Sequence, residues 1–349
     1  MTAYALLLRP GTNRVYSKGA ADLNAAELAV VNDGMLRGSL HSVEPTVIGG
    51  VDYVRFEGDD TDLSASDVGH ISNLSSAFAL FRITEDTSLV PVPLTPMAYL
   101  DDDLLTIMRY KGKTNEQFTK LLFNVTLAAS AHATDWPGRR LRVLDPVCGR
   151  GTSLNQGLAY GFDVDGIEID RTAYDAYRTF FVTWLKDKRF KHRATAMPLR
   201  RDGKVAGRRV EIVFARDKDE YKADDVQRMR LVNDDTTQAG EHYRKPVFDL
   251  VVGDLPYGVQ HASRAQPNSP TRDPRRLVEG ALGGWTRAMK PGAALGLSFN
   301  AKVLARAELV EILDARGLVP VEHQASFEHR VDHAITRDLV VAVKPAGLL

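Results

Sequence analysis

The sequence has little cysteine and no long apolar run, and each absence excludes a class of protein. Its 349 residues include a single cysteine, Cys148, so an intramolecular disulfide and a cysteine-based metal cluster are excluded. No apolar run approaches the ~20 residues that cross a bilayer. The opening residues, MTAYALLLRPGTNRVY, lack a cationic lead and a small-residue cleavage site, which favours a first strand over a signal peptide. A cytoplasmic protein that makes no use of a membrane is therefore expected.

The sequence also lacks net charge, because 45 Lys and Arg balance 45 Asp and Glu. A strongly basic bulk charge, which favours nucleic-acid binding, is thus absent. The charge is nevertheless uneven along the chain. Residues 1–95 carry twelve acidic against six basic side chains, whereas residues 186–210 carry ten basic side chains against Asp187 and Asp202. We therefore expect a local basic segment in a neutral chain.

The pattern along the chain predicts a small N-terminal domain and a larger second one. Residues 1–90 alternate short apolar runs with turn signals, and LNAAELAVVNDGML has helical spacing. This indicates a small α+β domain with strands at YALLLR, PTVIGGVDYVRFEG and AFALFRI. Residues 91–104 are expected to be a linker, since LVPVPLTP (89–96) has three prolines in eight residues.

Residues 105–349 predict an open α/β sheet with helices on both faces. Short runs rich in valine, leucine and isoleucine alternate with helical segments; these runs are LRVLDPV, VDGIEID, FDLVVGDLP, AALGLSF and DLVVAVKP. A helix is expected at TNEQFTKLLFNVTLAASA, with Thr114 and Gln117 as a capping box. Residues 186–225 interrupt the alternation as a basic insertion, in which GRRVEIVFA is a candidate extra strand.

The first motif with chemical content is LRVLDPVCGRGTSLNQGLAYG. A strand is expected to end at Asp145, followed by a loop with Gly149 and Gly151 and then a helix. Ligands of open α/β sheets bind beyond the carboxyl ends of the strands, and glycines let a ligand approach the backbone. A nicotinamide-binding loop would have a third glycine where Leu154 stands. The acidic strand end favours instead S-adenosylmethionine (SAM), whose ammonium group a carboxylate can approach; an ordinary tight turn is the alternative.

Carboxylates at the next two strand ends extend this predicted cofactor site. Glu168, seventeen residues after Gly151, can accept hydrogen bonds from both ribose hydroxyls, and Asp170 is the competing candidate. Asp234 or Asp235, in RLVNDDTTQ, can accept a hydrogen bond from the adenine amino group. Each of these acidic residues could instead cap a helix or a turn.

The segment FDLVVGDLPYGVQH predicts the reaction chemistry. An exocyclic amine of a nucleic-acid base is a poor nucleophile, because its lone pair is delocalised into the ring. The Asp254 carboxylate and the Leu255 carbonyl oxygen can accept both amino hydrogens, and the carboxylate can offset the positive charge that grows on the nitrogen. Pro256 restricts the backbone, and Tyr257 offers a face for base stacking. The alternative is a strand followed by a proline turn.

The combination of DPVCGRGT, GIEID and DLPYG resembles class I SAM-dependent methyltransferases with an (Asp/Asn)-Pro-Pro-Tyr motif, in particular the THUMP-associated tRNA guanosine-N2 methyltransferases. The resemblance covers roughly residues 105–345 and implies a Rossmann-like, seven-stranded methyltransferase domain. KGKTNEQFTKLL resembles the family's segment that touches the methionine end of SAM. The implied cofactor-binding residues are Asp145, Pro146, Gly149, Gly151, Thr152, Glu168, Asp170, Asp234, Thr114 and Gln117. The implied catalytic residues are Asp254, Leu255, Pro256 and Tyr257.

Two features depart from this family. Leu255 stands where the family usually has proline, and about 95 N-terminal residues are too few for the ferredoxin-like plus THUMP pair that docks tRNA in its longer members. The expected partner is tRNA, bound through the Lys and Arg residues of 186–210. A polar segment after FDLVVGDLPYGVQH adds further candidate RNA contacts, namely Arg264, Arg272, Arg275 and Arg276. A solvated insertion and a flexible connector are the alternative interpretations of these two segments.

The leading hypothesis is a tRNA guanine-N2 methyltransferase, with two alternatives. A DNA adenine-N6 or cytosine-N4 methyltransferase would use the same acceptor geometry, and a non-catalytic RNA-binding subunit could share the SAM-binding fold. No metal is expected, since His329 and His333 lie four residues apart in a predicted hairpin.

Overall fold

The computed structural model describes residues 1–10, 19–59, 62–84, 88–110, 112–258 and 273–347. These residues form one sheet of five strands near the N-terminus and one of ten strands in the rest of the chain. None of the helices within the described ranges is both long and apolar enough to cross a membrane.

The N-terminal unit is built from five strands and two helices. In chain order they are β1 (Thr2–Leu8), α1 (Ala20–Met35), β2 (Leu40–Ile48), β3 (Val51–Gly58), α2 (Ala65–Ser72), β4 (Ala77–Ile83) and β5 (Leu89–Val92). The sheet is antiparallel with the order β2-β3-β1-β4-β5. Its first four strands and two helices have the β-α-β-β-α-β order of ferredoxin-like units.

The segment expected to be a linker, residues 91–104, overlaps a strand. Residues 89–92 form β5, in which Pro91 lies opposite Phe81 of β4. β5 is the edge strand of its sheet, and an edge strand tolerates a proline because one side of it needs no hydrogen-bond donor. The prolines of this segment therefore indicate an edge strand as much as a connector.

The second unit follows from residue 103. Its elements are α3 (Asp103–Thr106), α4 (Glu116–Ala129), β6 (Arg142–Asp145), α5 (Thr152–Ala159), β7 (Asp163–Ile167), α6 (Arg171–Asp187), β8 (Lys191–Arg201), β9 (Lys204–Ala215), α7 (Lys218–Lys222), β10 (Gln227–Asn233), α8 (Ala239–His242), β11 (Phe248–Asp254), α9 (Pro274–Ala288), β12 (Met289–Asn300), α10 (Arg306–Asp314), β13 (Val319–Pro320), β14 (His329–Arg330) and β15 (Thr336–Val343).

The central strands of this sheet have the doubly wound arrangement that the sequence predicts. The strand order is β13-β15-β12-β11-β6-β7-β10-β9-β8, with β14 paired to β15. The strands β10, β7, β6, β11 and β12 are parallel to their neighbours in this series. The described sheet has ten strands rather than the expected seven, because the β8–β9 hairpin adds two strands and β14 adds one.

The chain order reverses between β6 and β11, and this reversal places the candidate site. β7 and β10 lie on one side of β6, and β11 and β12 lie on the other. Ligands of such sheets bind beyond the carboxyl ends of the strands at this switch point. Asp145, Glu168, Asp234 and Asp254 stand at or directly after the ends of β6, β7, β10 and β11, so they share one edge of the sheet.

The basic insertion forms a long hairpin at the edge of the sheet. Asp202 and Gly203 join its strands with φ angles of 51° and 76°, a two-residue turn whose twist matches that of the strands. β9 pairs antiparallel with β10, and Arg208 lies opposite Asn233, the last residue of β10. The tip of the hairpin, residues 198–208, therefore lies at and beyond the carboxyl edge of the sheet. The extra strand predicted at GRRVEIVFA is confirmed as part of β9.

The predicted cap of α4 is wrong. The helix begins at Glu116, and its N-cap is Asn115, whose Oδ1 accepts a hydrogen bond from the Gln117 backbone N–H at 2.8 Å. Asparagine caps helices as well as serine or threonine does. This leaves the hydroxyl of Thr114 available for a different partner.

Candidate functional site

The glycine loop after β6 is held in a shape that requires glycine. Gly151 has φ 81°, and a Cβ atom there would lie 2.3 Å from the ring of Tyr177. Gly149 has φ 52°, and a Cβ atom there would meet nothing within 4 Å. The Cys148 N–H donates to the Ile167 carbonyl at 3.0 Å, which ties the loop to β7. The loop is therefore fixed at Gly151 and open to a ligand at Gly149.

Asp145 is a buried carboxyl group at the base of this loop. Its Oδ1 accepts a hydrogen bond from the Val147 N–H at 2.9 Å, and its Oδ2 accepts one from the Ser153 hydroxyl. Burial raises the pKa of Asp145 to about 7, and repulsion from Asp254 and Glu168 adds to the effect. A group with such a pKa changes charge easily when a cation approaches.

Glu168 links the glycine loop to the chain after β7. Its Oε2 accepts a hydrogen bond from the Gly149 N–H at 2.7 Å, and its Oε1 accepts one from the Asp170 N–H at 2.6 Å. Burial raises the pKa of Glu168. The exposed Asp170 side chain caps α6 by accepting from the Thr172 N–H at 2.8 Å. Glu168 also lines a cavity at this edge of the sheet.

The acidic pair after β10 has partners within the protein. Asp234 Oδ2 lies 2.8 Å from Arg201 Nη2 and 2.9 Å from His242 Nε2. Asp235 Oδ1 accepts a hydrogen bond from the Thr237 N–H at 2.9 Å and so caps a short 3-10 turn. Arg201 lies at the tip of the β8–β9 hairpin, so this contact joins the hairpin to the rim of the candidate site.

Asp254 accepts hydrogen bonds from three hydroxyl groups. Its Oδ1 accepts from Tyr257 at 2.6 Å and from Ser298 at 2.6 Å, and its Oδ2 accepts from Thr114. The Leu255 N–H donates to the Ser298 carbonyl at 2.9 Å, and the Leu255 side chain is buried. The loop after β11 is thus anchored to β12 even though Leu255 replaces the expected proline.

The Tyr257 hydroxyl also accepts a hydrogen bond, from Arg337. The buried Arg337 donates its Nε–H to the phenol oxygen at 2.7 Å, and its guanidinium carbon lies 5.2 Å from the Tyr257 ring centroid. Burial and the nearby Asp254 raise the pKa of Tyr257. One face of the ring that was expected to stack on a base is therefore covered by Arg337.

Two neighbouring cavities lie along the carboxyl edge of the sheet. The first, of about 390 Å³, is lined by Tyr110, Gly112, Thr114, Phe118, Thr119, Leu122, Asp145, Val147, Cys148, Gly149, Arg150, Thr152, Ser153 and Asp254. The second, of about 210 Å³, is lined by Pro146, Val147, Ile167, Glu168, Ile169, Asp234, Asp235, Thr236, Asp254, Pro256 and Leu277. Val147 and Asp254 line both cavities, which therefore adjoin at the end of β11.

The segment before α4 lines the first cavity. The Tyr110 and Thr152 hydroxyl oxygens are 2.9 Å apart, and the Arg150 guanidinium carbon lies 5.1 Å from the Tyr110 ring centroid. Burial raises the pKa of Tyr110. Thr152 and Thr114, which were both assigned to the cofactor, thus line the same cavity.

Three further predicted residues have partners within the protein. Gln117 donates to the Arg9 carbonyl and to the Ser76 hydroxyl, both at 3.2 Å, so its side chain joins the N-terminal unit. Arg275 pairs with Glu279 and Glu308, and Arg276 pairs with Asp273, on and beside α9. Arg264 and Arg272 lie outside the described residues.

Other site residues were not predicted, and one of them could have been. Ser298 lies opposite Asp254 in the parallel pairing of β11 with β12, so a register argument on the two apolar runs would have found it. Arg337 gave no local signal, because it comes 80 residues after Tyr257 and only the sheet brings the two together. Among the described residues, no group of three or more His, Cys, Asp or Glu could hold a metal ion.

Comparison with known proteins gives structural similarity alone. No protein-family model and no curated protein sequence matches the chain. It aligns with magnesium protoporphyrin IX methyltransferase from Synechocystis, solved with bound SAM, at 14% identity and a TM-score of 0.39, covering 67% of this chain and 86% of that one. A TehB-like SAM-dependent methyltransferase from Corynebacterium glutamicum aligns at 16% identity and a TM-score of 0.34, covering 59% and 81%. An rRNA methylase from Streptococcus thermophilus aligns at 14% identity and a TM-score of 0.34, covering 59% and 88%.

Proposed function

We propose that the chain is a SAM-dependent methyltransferase that methylates an exocyclic amine of a nucleic-acid base, with guanine N2 in tRNA as its substrate. One observation carries the proposal: Asp254, the predicted amine acceptor, lines the same cavity as the glycine loop residue Gly149. A direct transfer between two ligands requires that they be held together in one cavity.

The residues of the two cavities fit SAM chemically. Asp145 and Asp254 place carboxylates in the first cavity, where an α-ammonium and a sulfonium would be stabilised, and Gly149 leaves room for close approach. In the second cavity Glu168 is an acceptor for ribose hydroxyls beside apolar side chains suited to a purine, namely Ile167, Ile169, Pro256 and Leu277. SAM supplies an electrophilic methyl group.

We assign the adenine amino group to Asp235 rather than to Asp234. Asp234 already binds Arg201 and His242. Asp235 uses Oδ1 for the Thr237 N–H, and both of its carboxylate oxygens can accept hydrogen bonds. Asp234 then acts indirectly, as the residue that holds the hairpin against the second cavity.

Asp254 and Leu255 act on the target amine. Asp254 Oδ2 would accept one amine hydrogen and the Leu255 carbonyl oxygen would accept the other, which would orient the nitrogen lone pair. With SAM as the methyl donor, the carboxylate would offset the positive charge that grows on the nitrogen and would take up its proton.

The β8–β9 hairpin supports a nucleic-acid substrate. Arg200, Lys204 and Arg208 are exposed side chains at its tip, on the edge of the sheet that carries both cavities. Such residues neutralise backbone phosphates. The choice of guanine N2 in tRNA rests on the sequence resemblance to the THUMP-associated tRNA guanosine-N2 methyltransferases.

Methyl-labelled SAM, incubated with bulk tRNA or with duplex DNA and followed by nucleoside mass spectrometry, tests the proposal. We expect label in N2-methylguanosine from tRNA. Asp254→Ala should lower the transfer rate by about a hundredfold or more, while the SAM affinity measured by calorimetry persists. Lys245→Ala, an exposed change before β11 at the opposite edge of the sheet, is the control and should transfer normally.

Three results would count against this assignment. Label found only in adenine or cytosine of DNA would show that the substrate is DNA and not tRNA. Transfer by the Asp254→Ala variant at the wild-type rate would overturn the role of Asp254. Wild-type protein that binds no SAM would overturn the function itself.

A further inference from the structure

We infer that Arg337 is a positioning residue, which acts through the Tyr257 hydroxyl to set which oxygen of Asp254 faces the substrate amine. The inference rests on the proposed function and extends it to a residue outside the predicted motifs. It starts from the chain of contacts Arg337–Tyr257–Asp254, in which the two hydrogen bonds measure 2.7 Å and 2.6 Å.

The burial of Arg337 calls for a reason. Its side chain lies on β15 opposite Asn300, and the residue is 5% exposed. Within the described ranges, no carboxylate forms an ion pair with it, and its guanidinium carbon lies over the rings of Phe118 and Tyr257, at 4.6 Å and 5.2 Å from their centroids. A buried charge without a counter-ion is costly, and cation–π contacts offset only part of that cost.

The direction of the first hydrogen bond fixes the direction of the second. Arginine has donors and no acceptor, so the Arg337 Nε–H must donate to the phenol oxygen of Tyr257. The Tyr257 proton then points away from Arg337, and its partner is Asp254 Oδ1. Arg337 thereby makes Tyr257 a donor of fixed direction.

This fixed donor orients the Asp254 carboxylate. Oδ1 already accepts from Tyr257 and from Ser298, and each carboxylate oxygen has about two acceptor positions. Oδ2 accepts from Thr114 alone among the described residues, so it retains a position for an amine hydrogen. Tyr257 therefore serves the reaction through its hydroxyl, while Arg337 covers one face of its ring.

A double-mutant cycle on Arg337→Met and Tyr257→Phe tests the inference in the full-length protein with SAM and the nucleic acid that the wild type methylates. Each single change should lower kcat by about tenfold. The double variant should have a kcat no lower than either single variant, because both substitutions break the same chain of hydrogen bonds. The Kd for SAM and the melting temperature should change little. Arg337→Lys, which keeps a charged donor, should recover part of the loss.

A spectroscopic measurement separates this role from a purely structural one. The ultraviolet Raman difference spectrum between wild type and Tyr257→Phe reports the hydrogen bonding of the Tyr257 phenol. In the wild type we expect the signature of a phenol that both accepts and donates a hydrogen bond. In Arg337→Met we expect the signature of a phenol that only donates. Additive losses in the cycle, an unchanged kcat in Arg337→Met, or an unchanged phenol signature would overturn the inference while leaving the proposed function intact. Wild-type protein that methylates no nucleic acid would overturn both.

Discussion

Asp145 is a carboxyl group buried beside the cavity in which we place a cationic ligand. Its pKa of about 7 means that near pH 6 the free protein carries a proton on this group. A cationic ligand favours the charged carboxylate, so binding must release that proton. The affinity for SAM should therefore fall by about fivefold between pH 7 and pH 6, since the deprotonated fraction of Asp145 falls by that factor. Calorimetry at the two pH values measures it.

The Asp145→Asn variant isolates this effect. It keeps Glu168, whose pKa burial also raises, and it removes the titration of residue 145. We expect weaker binding with a flatter pH dependence over the same range. An equally steep pH dependence in the variant would assign the proton release to Glu168 or to another group.

The residues that the sequence identified as site candidates share a local signal. Asp145, Glu168 and Asp254 each stand at or directly after the end of an apolar strand, and the carboxyl ends of neighbouring parallel strands meet at one edge. Thr114 was assigned to the cofactor through the resemblance, yet its observed partner is Asp254. Arg337 was not predicted because its role depends on a contact across the sheet.

The β8–β9 hairpin is the element whose function depends most on charge. Replacing the three exposed basic residues at its tip by alanine (Arg200, Lys204 and Arg208) should weaken RNA binding at every sequence tested. Because each phosphate contact contributes about 0.7–0.9 to the slope of log K against log salt, the slope should become shallower by about 2. Fluorescence anisotropy with labelled tRNA at several salt concentrations measures both quantities.

The control for this experiment removes two exposed basic residues at the other edge of the sheet. Arg244 and Lys245 are exposed residues before β11, at the amino end of the parallel strands, so their replacement by alanine should leave the salt slope unchanged. Arg201 is kept in both variants because it holds Asp234. Equal slopes for the tip variant and the wild type would exclude the hairpin as a phosphate contact.

The hydrophobic pattern of the sequence predicted the central strands of the second sheet better than its edge strand β8. β6, β11 and β12 each contain a short apolar run, and burial on both faces demands such runs. β8 reads KHRATAMPLRR and is mostly exposed, so it has no apolar pattern to reveal a strand. It exists because β9 offers a paired edge and because Asp202-Gly203 forms a tight turn.

At the scale of the whole molecule, the two sheets share one hydrophobic core. Buried residues of α1 and of β1, β3 and β4 belong to the same cluster as those of α4, β6 and β7. The pattern of apolar runs and prolines along the sequence predicted two units, but it did not indicate how they pack together. The contact depends on a polar cluster around the fully buried Glu27, which comes from three separate parts of the chain.

Glu27 joins the N-terminal unit to α4 through hydrogen bonds that are buried away from water. Its carboxylate accepts from the Ser75 N–H at 2.9 Å, from the Ser75 hydroxyl, and from Asn124 Nδ2 at 2.6 Å. Burial raises the pKa of Glu27. Asn124 Nδ2 also donates to the Asn73 carbonyl, so removing the Glu27 acceptor leaves the Ser75 N–H and one Nδ2 hydrogen of Asn124 without a partner. Each unsatisfied donor costs about 1–3 kcal/mol.

Glu27→Ala should therefore lower the free energy of unfolding by about 3 kcal/mol, whereas Glu44→Ala, which removes an exposed ion pair with Arg55, should change it by less than about 1 kcal/mol. Urea denaturation followed by hydrogen exchange and mass spectrometry measures the loss separately in peptides from 19–59 and 142–167. Because the two units share a core, both sets of peptides should lose protection at the same, lower urea concentration. Loss confined to residues 19–59 would mean that the N-terminal unit unfolds independently and that its contact with α4 is not part of one cooperative structure.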